Sequence, residues 1–385
     1  MISVICHSLS RQTSHFSHAE DTPGDTAEGV KVYASRLVRQ FETPPPTLVD
    51  QAGRVRFGTF SGPIPALNLL DAKPWPLPMP RALRAFRLKE WQAIQLGNRR
   101  YFVLVALFNA KVLALAQVKI YDRERRQKYI FERKLPGWAF DAPDNLLDSR
   151  MRWSADGATI AFHNELAEGR LTLELELPAS ADMPALRGTI VADARGCDPQ
   201  VVSIPFADNR GMYSHKGCMV PSGALRLGED SLDFGSEDAF LMIDDHKGYY
   251  AWVMRWDWVT GGGLDAHGRR VSFNLTRNAS IDPARYNENC LWIDGRAHLL
   301  PPVEFTRRPE LEPEVWEVRD LAGTGEVAVD FVIEVDGYVR VNALVIESRY
   351  RGPFGSVRGT IRSPEGEAIA LDGMFGMGED FYLRC

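Results

Sequence analysis

From Lys89 onward the chain alternates apolar and polar residues with the period of strands. Residues 170–177 read RLTLELEL, with Leu171, Leu173, Leu175 and Leu177 on one side and mostly charged residues on the other. That is the pattern of a half-buried antiparallel strand. Residues 101–107 and 112–121 are rich in Val, Leu and aromatics, with a turn expected near Asn109. Residues 152–154 and 159–163 flank Ala155-Asp156-Gly157, and Asp-Gly between apolar runs is a hairpin signal. Further glycine turns are expected at Gly268, Gly295, Gly337 and Gly366, and Gly261-Gly262-Gly263 reads as a flexible turn between strands. One short helix is expected over 81–90 (RALRAFRLKE). Ahead of it, prolines at 44–46 and through 74–80 exclude regular helix and weaken strand, giving an extended lead-in. Many strands with polar turns and almost no helix predict an all-β chain of two antiparallel barrels in tandem. Residues 1–42 read as a disordered polar tail, 43–235 as the lead-in and first barrel, and 236–385 as the second. The join is placed near Phe234–Asp238.

The densest aromatic stretch follows that join. If residues 249–258 form a strand, Tyr250, Trp252, Met254, Trp256 and Trp258 share one face, and Tyr249, Ala251, Val253, Arg255 and Asp257 share the other. Such a wall lines an apolar ligand cavity or packs a solid core. Immediately before it stand Asp244, Asp245 and His246. Asp244 and His246 share a face, while Asp245 points away with Lys247. A carboxyl in an apolar cavity is held neutral by desolvation and becomes a proton donor, with His246 as its partner. The alternative for Asp-Asp-His-Lys-Gly is a solvent-exposed turn. His215 and Glu379 are further polar candidates, beside the stretches Tyr213–Lys216, Glu288-Asn289 and Gly378–Asp380.

Composition narrows the function without naming it. The 385 residues carry 45 Lys+Arg and 51 Asp+Glu, a formal charge of -6, with 45% hydrophobic residues. These are globular proportions, and they lack the basic surplus of a nucleic-acid binder. The five cysteines are scattered, with no CxxC pair, so neither a zinc knuckle nor a redox pair is expected. His7, His15 and His18 in the tail are not read as a metal site. The N-terminus lacks the basic and apolar regions of a secretory signal, and the longest apolar run, 101–117, is too short and too interrupted to span a bilayer. A cytoplasmic location follows as an expectation. No GxSxG, HExxH, Walker or dinucleotide motif occurs, so no cofactor is expected.

Several separated motifs resemble one family. Asp244–Gly248 with Tyr249-Tyr250, Trp256-Asp257-Trp258, Gly268–Val271, Glu288–Gly295 and Pro353-Phe354-Gly355 with Gly359 occur in its order, as do Lys89-Glu90-Trp91 and Tyr121-Asp122. The family is a bacterial domain of unknown function, DUF2804, and the resemblance covers residue 48 to the C-terminus. More distantly the Asp/His–Gly–aromatic segment is similar to the carotenoid hydratase, tocopherol cyclase and AttH-like group. That similarity implies two lipocalin-like barrels, action without cofactors on apolar terpenoid substrates, and an aspartic acid that protonates an alkene. Counting back from Gly248 puts the acid at Asp244. Matching the Asp-His dipeptide puts it at Asp245.

Two readings of function stand after the sequence, with a third beside them. One is a cofactor-independent hydratase, cyclase or isomerase with Asp244 or Asp245 as acid and His246 as partner. Tyr249, Tyr250, Trp252, Trp256 and Trp258 would line the apolar small molecule, with His215 and Glu379 as second polar groups. Another is a non-catalytic carrier of a lipid or other amphiphile. The third is an interaction protein whose barrel is packed solid.

Overall fold

The computed structural model describes residues 39–384 apart from 344 and 345. The expected tail histidines and residues 1–38 lie outside the described residues. Residues 39–42, read from sequence as the end of the tail, belong to the fold: Glu42 bridges Phe60, its amide donating to the Thr59 carbonyl at 2.7 Å.

The alternation builds two curled antiparallel sheets in tandem, of 13 and 12 strands. The first is organised on an 18-residue strand, Arg210–Leu227. One half of it pairs with Phe240–Gly248 and the other with Leu186–Asp193. Beyond Phe240–Gly248 come Lys89–Gly97, Tyr101–Asn109, Leu113–Asp122 and Gln127–Pro136. Beyond Leu186–Asp193 come Arg170–Leu177, Ala158–Glu165 and Ser149–Ala155. The sheet curls until its two edges meet, with the rings of Phe131 and Trp153 6.0 Å apart. In the second sheet Val253–Leu264 pairs along its length with Phe375–Arg384. Arg270–Arg277 flanks this pair on one side, and Phe354–Arg362 with the hairpin strand Ile346–Arg351 on the other. Helix is confined to Arg81–Arg87 and two short 3-10 turns, and no helix among the described residues is long and apolar enough to cross a membrane.

Each curled sheet fills its inside with one face of every strand. Ile94, Val105, Leu173 and Ile243 belong to the core of the first, and Val259, Phe273, Trp316 and Phe331 to that of the second. Lys89–Gly97 is buried along nearly its whole length because its other face is covered too. Ala93, Phe102, Leu104, Tyr121 and Met242 form a third core with Trp258, Trp292, Phe354, Phe375 and Met377. This core joins the outer faces of the two sheets. The Tyr121 ring stacks on both Phe354 and Phe375, at 5.7 and 5.5 Å. Aromatic pairs of this geometry add to the stabilisation from buried area alone.

Two sequence expectations change. The strand division does not fall near Phe234–Asp238, because Phe240–Gly248 completes its pairing inside the first sheet, between Arg210–Leu227 and Lys89–Gly97. The passage to the second sheet is the four residues 249–252. Gly261-Gly262-Gly263 is not a turn but part of the strand Val253–Leu264. Glycine is required there because the partner backbone presses close. The Asp156-Gly157 hairpin forms as expected, both residues at positive φ (52° and 76°), as a type I′ turn requires.

A Cβ on Gly376, opposite Gly261, would run into the Thr260 carbonyl and the Gly261 Cα. Gly376→Ala is therefore expected to lower unfolding free energy by about 2–4 kcal/mol, read as a lower denaturant midpoint. An unchanged midpoint would show that the two central strands separate without loss.

Candidate functional site

The register of the first sheet assembles a charged cluster from residues far apart in sequence. Lys216 lies opposite Asp244, and Ser214 opposite His246. On the next strand Trp91 lies opposite His246. The side chains of Ser214, Lys216, Asp244, His246 and Trp91 therefore leave the sheet on the same side, toward the second sheet. Glu288 joins them from the segment before Cys290–Ile293.

Three ionisable groups and a serine meet at one imidazole nitrogen, with the Lys216 Nζ 3.3 Å from it. The Nε2 of His246 is 2.7 Å from Asp244 Oδ1, 3.2 Å from Glu288 Oε1 and 3.1 Å from Ser214 Oγ. The Lys216 ammonium donates to Asp244 Oδ1 at 2.5 Å and is 3.6 Å from Glu288 Oε1. Trp91 stacks on the imidazole, centroids 4.4 Å apart and planes within 12°. The formal charges cancel, two cations against two carboxylates.

Balance at this burial sets the protonation states. Burial alone raises the Asp244 carboxyl, but the adjacent Lys216 and His246 charges outweigh it and hold it well below the usual carboxylate range. Glu288 is treated the same way and falls to about 2. For His246 burial works against the charge, and Asp244 and Glu288 overcome it, raising the imidazolium to about 9. Asp244 is thus ionised, not the neutral acid expected from sequence, and His246 carries the proton. Its Nδ1 is buried with no partner among the described residues, and an unpaired buried donor is costly.

The cluster forms one wall of a cavity of about 250 Å³ between the outer faces of the two sheets. Tyr250, Met254, Trp256 and Trp258 line it, along with Phe108 and Leu115 of the first sheet. Trp256 stacks on Phe381 at 3.8 Å, and its Nε1 donates to Glu379 at 2.9 Å. The Tyr350 hydroxyl donates to the other Glu379 oxygen at 2.8 Å. Burial raises the Glu379 carboxyl, only partly offset by these bonds.

The cavity therefore brings together Asp244, His246, Tyr250, Trp256, Trp258 and Glu379, and leaves out four other sequence candidates. Phe240–Gly248 ends at its glycine and the next strand begins at Val253, so no continuous strand carries the facing of Asp244 and His246 through Trp252. Trp252 is 50% exposed, beneath the Arg87 guanidinium. Tyr249 turns the other way, its hydroxyl donating to the Leu69 carbonyl and its ring edge-on to Trp75. His215 and Asp245 face each other's side of the first sheet, away from the cavity. The Asp-Asp-His-Lys-Gly stretch is buried strand, not an exposed turn.

The stretches holding Lys216 and Glu288 were candidates from sequence and Trp91 part of a motif, but none of the three was joined to Asp244 and His246. Only the strand register brings the lysine to Asp244, and no local pattern reports it. Arg39 is a further residue of this kind. It is buried and donates to the carbonyls of Asn287, at 2.5 Å, and Asn289, at 2.6 Å, on either side of Glu288, and to Leu300 at 3.0 Å. It holds the loop that presents Glu288. Burial lowers its guanidinium to about 10. Among the described residues no group of His, Cys, Asp and Glu could hold a metal ion.

A family model described as a domain of unknown function, DUF2804, matches residues 39–384. Among solved structures, CghA with Sch210972 is similar at 15% identity, covering 76% of this chain and 88% of that one, with a TM-score of 0.48. Kievitone hydratase from Nectria haematococca is similar at 13% identity, with 76% and 88% covered and a TM-score of 0.45. A putative AttH from Nitrosomonas europaea is similar at 12% identity, with 80% and 99% covered and a TM-score of 0.42. No curated protein matches the sequence.

Asp245 yields a separate prediction. It is 1% exposed, both its carboxyl oxygens lack partners among the described residues, and burial raises its carboxyl to about 6. A folded-state value above the unfolded one means stability present below about pH 4 and lost as the pH rises through about 6. Asp245→Asn should therefore stabilise the protein by about 2–3 kcal/mol near pH 7.5 and by almost nothing near pH 4. Denaturation at the two pH values measures this, and equal effects at both would mean that the carboxylate is not desolvated.

Proposed function

The chain belongs to the DUF2804 family, and from the geometry of its central cavity we propose that it is a cofactor-independent proton-transfer enzyme on an apolar small molecule. The observation that carries this reading is the convergence of Asp244, Glu288 and Lys216 on His246 at the wall of an aromatic cavity. A buried charge cluster of this size adds little stability in place of apolar packing, and strongly shifted groups in a cleft mark chemistry more often than scaffolding.

His246 is the proton donor in this reading, in place of the aspartic acid that the resemblance implies. Asp244 and Glu288 stabilise its imidazolium, and Lys216 keeps both carboxylates ionised. In this reading the Nδ1–H, buried without a partner among the described residues, is the proton that substrate binding has to uncover. An imidazolium near 9 is too weak an acid for an isolated alkene, so the substrate is one whose double bond is polarised by conjugation to an electron-withdrawing group. In hydration, the His246 proton goes to one carbon of that bond and water attacks the other. The surplus proton of the water returns to the imidazole, so that one water is added overall. The same donor serves dehydration and double-bond migration. The rings of Trp91 and Trp256, stacked with centroids 5.8 Å apart, form a wall against which the flat conjugated portion lies.

The test begins with solvent extraction and mass spectrometry of the purified protein to identify a bound apolar molecule. That compound is then incubated with the protein in isotopically heavy water, and heavy oxygen or hydrogen in the product reports turnover. His246→Gln is expected to lower turnover by roughly 10²–10⁴ with the compound still bound. Wild-type turnover should fall as pH rises through about 9, where the imidazolium is lost. A compound bound equally by wild type and His246→Gln, and recovered unlabelled from both, would make the protein a carrier.

A further inference from the structure

The strands that wall the aromatic cavity have a second recess on their other face. In Val253–Leu264, Trp256 and Trp258 point into the aromatic cavity, so Arg255 and Asp257 leave the strand on its other side, with Arg255 at the rim of both spaces. There lies a space of about 550 Å³ lined by Arg255, Arg277, Arg307, Arg340, Arg349 and Arg351. Six guanidiniums converge in a chain whose formal charge is -6. Four of them have carboxylates: Arg277 and Arg307 share Asp257, Arg307 also lies 3.4 Å from Asp380 in the lining, Arg351 takes Glu314 and Asp336, and Arg349 is 3.3 Å from Glu347. Arg255 and Arg340 have no carboxylate partner among the described residues. Arg255 and Arg349 both lie against the Tyr382 ring, 4.9 and 4.1 Å from its centroid. Such stacking orients the planar heads and leaves their edge donors free.

The recess meets the aromatic cavity beyond the Asp257–Arg277 pair, where Arg270–Arg277 stops covering its neighbour. Arg255, Trp256, Tyr350 and Phe381 line both spaces. An apolar cavity thus opens beside a cluster of guanidiniums, two of them uncompensated. Guanidinium forks match the oxygens of carboxylate and phosphate.

We propose that the two spaces form one site for an anionic amphiphile. Its carboxylate or phosphate headgroup binds Arg255 and Arg340, and its apolar chain passes Trp256 and Phe381 into the aromatic cavity. This deepens the reading of that cavity as an apolar-ligand site and rests on it. A neutral apolar molecule of the same length fills the cavity but leaves the arginines unmatched.

Binding of decanoate, decyl phosphate, decanol and inorganic phosphate to the full chain, followed by tryptophan fluorescence and calorimetry, tests the proposal. Decanoate and decyl phosphate are expected to bind roughly tenfold or more tighter than decanol, the scale of one charge-assisted contact. Their advantage should shrink with added salt, because these charges face solvent. Arg255→Ala with Arg340→Ala should erase the advantage, so that decanoate binds that variant no tighter than decanol does, while the two Lys replacements restore part of it. Inorganic phosphate that displaces decyl phosphate without displacing decanol supports the separate headgroup position. Decanol binding as tightly as decanoate, or decanoate indifferent to the double Ala variant, overturns the proposal and leaves the apolar cavity standing. Failure of decanol and decanoate alike would remove the cavity reading, and this one with it.

Discussion

Two curled sheets that are apolar on both faces cannot each stand alone in water. Their insides close on their own cores, but the outer faces of Lys89–Gly97, Tyr101–Asn109 and Phe240–Gly248 remain to be covered, and those of Val253–Leu264 and Phe375–Arg384 cover them. The docking of these outer faces is the constraint on which the remainder depends. It explains why strands of an antiparallel sheet are buried along their whole length, and why glycines run through the centre of the second sheet, where backbones come close. The candidate site is the part of this seam that is not filled.

Placement in the seam also accounts for the chemistry. Charged residues between two apolar sheets are tolerated only when matched, and the cluster is matched residue for residue. Desolvation strengthens every attraction within it, so the carboxylates sharpen as anions and the imidazole as a cation. The same desolvation without partners does the opposite to Asp245, one residue away and across the sheet. Adjacent aspartates on one strand thus end with opposite protonation behaviour, and the alternation of side chains is the only difference between them.

The elements were more legible than their assembly. Strand alternation in 170–177, the Asp-Gly hairpin, the lone helix after the proline segment and the shared face of Asp244 and His246 were all written locally, because side-chain period is a local property. The partner strand of 240–248 was not. Its pairing with Arg210–Leu227 and Lys89–Gly97 is long-range, so the division between sheets was placed some fourteen residues early and Lys216 and Glu288 were not joined to Asp244 and His246. Trp252 left the expected face because the strand ends at Gly248. The charge state of the carboxyl at 244 was not legible locally, since it depends on a lysine that only register supplies.

Arg39 extends this dependence across the chain. Its guanidinium caps three carbonyls around Glu288, some 250 residues away in sequence. The imidazole therefore draws its surroundings from the first described residue, the first sheet and the second sheet together. Contacts of such separation carry a large loop-closure cost and exist only once the chain is folded. In the unfolded chain Asp244, His246 and Glu288 are an ordinary acid, base and acid in water. The unusual histidine is thus a property of the finished molecule, and its titration is a built-in gauge of whether the two sheets have come together.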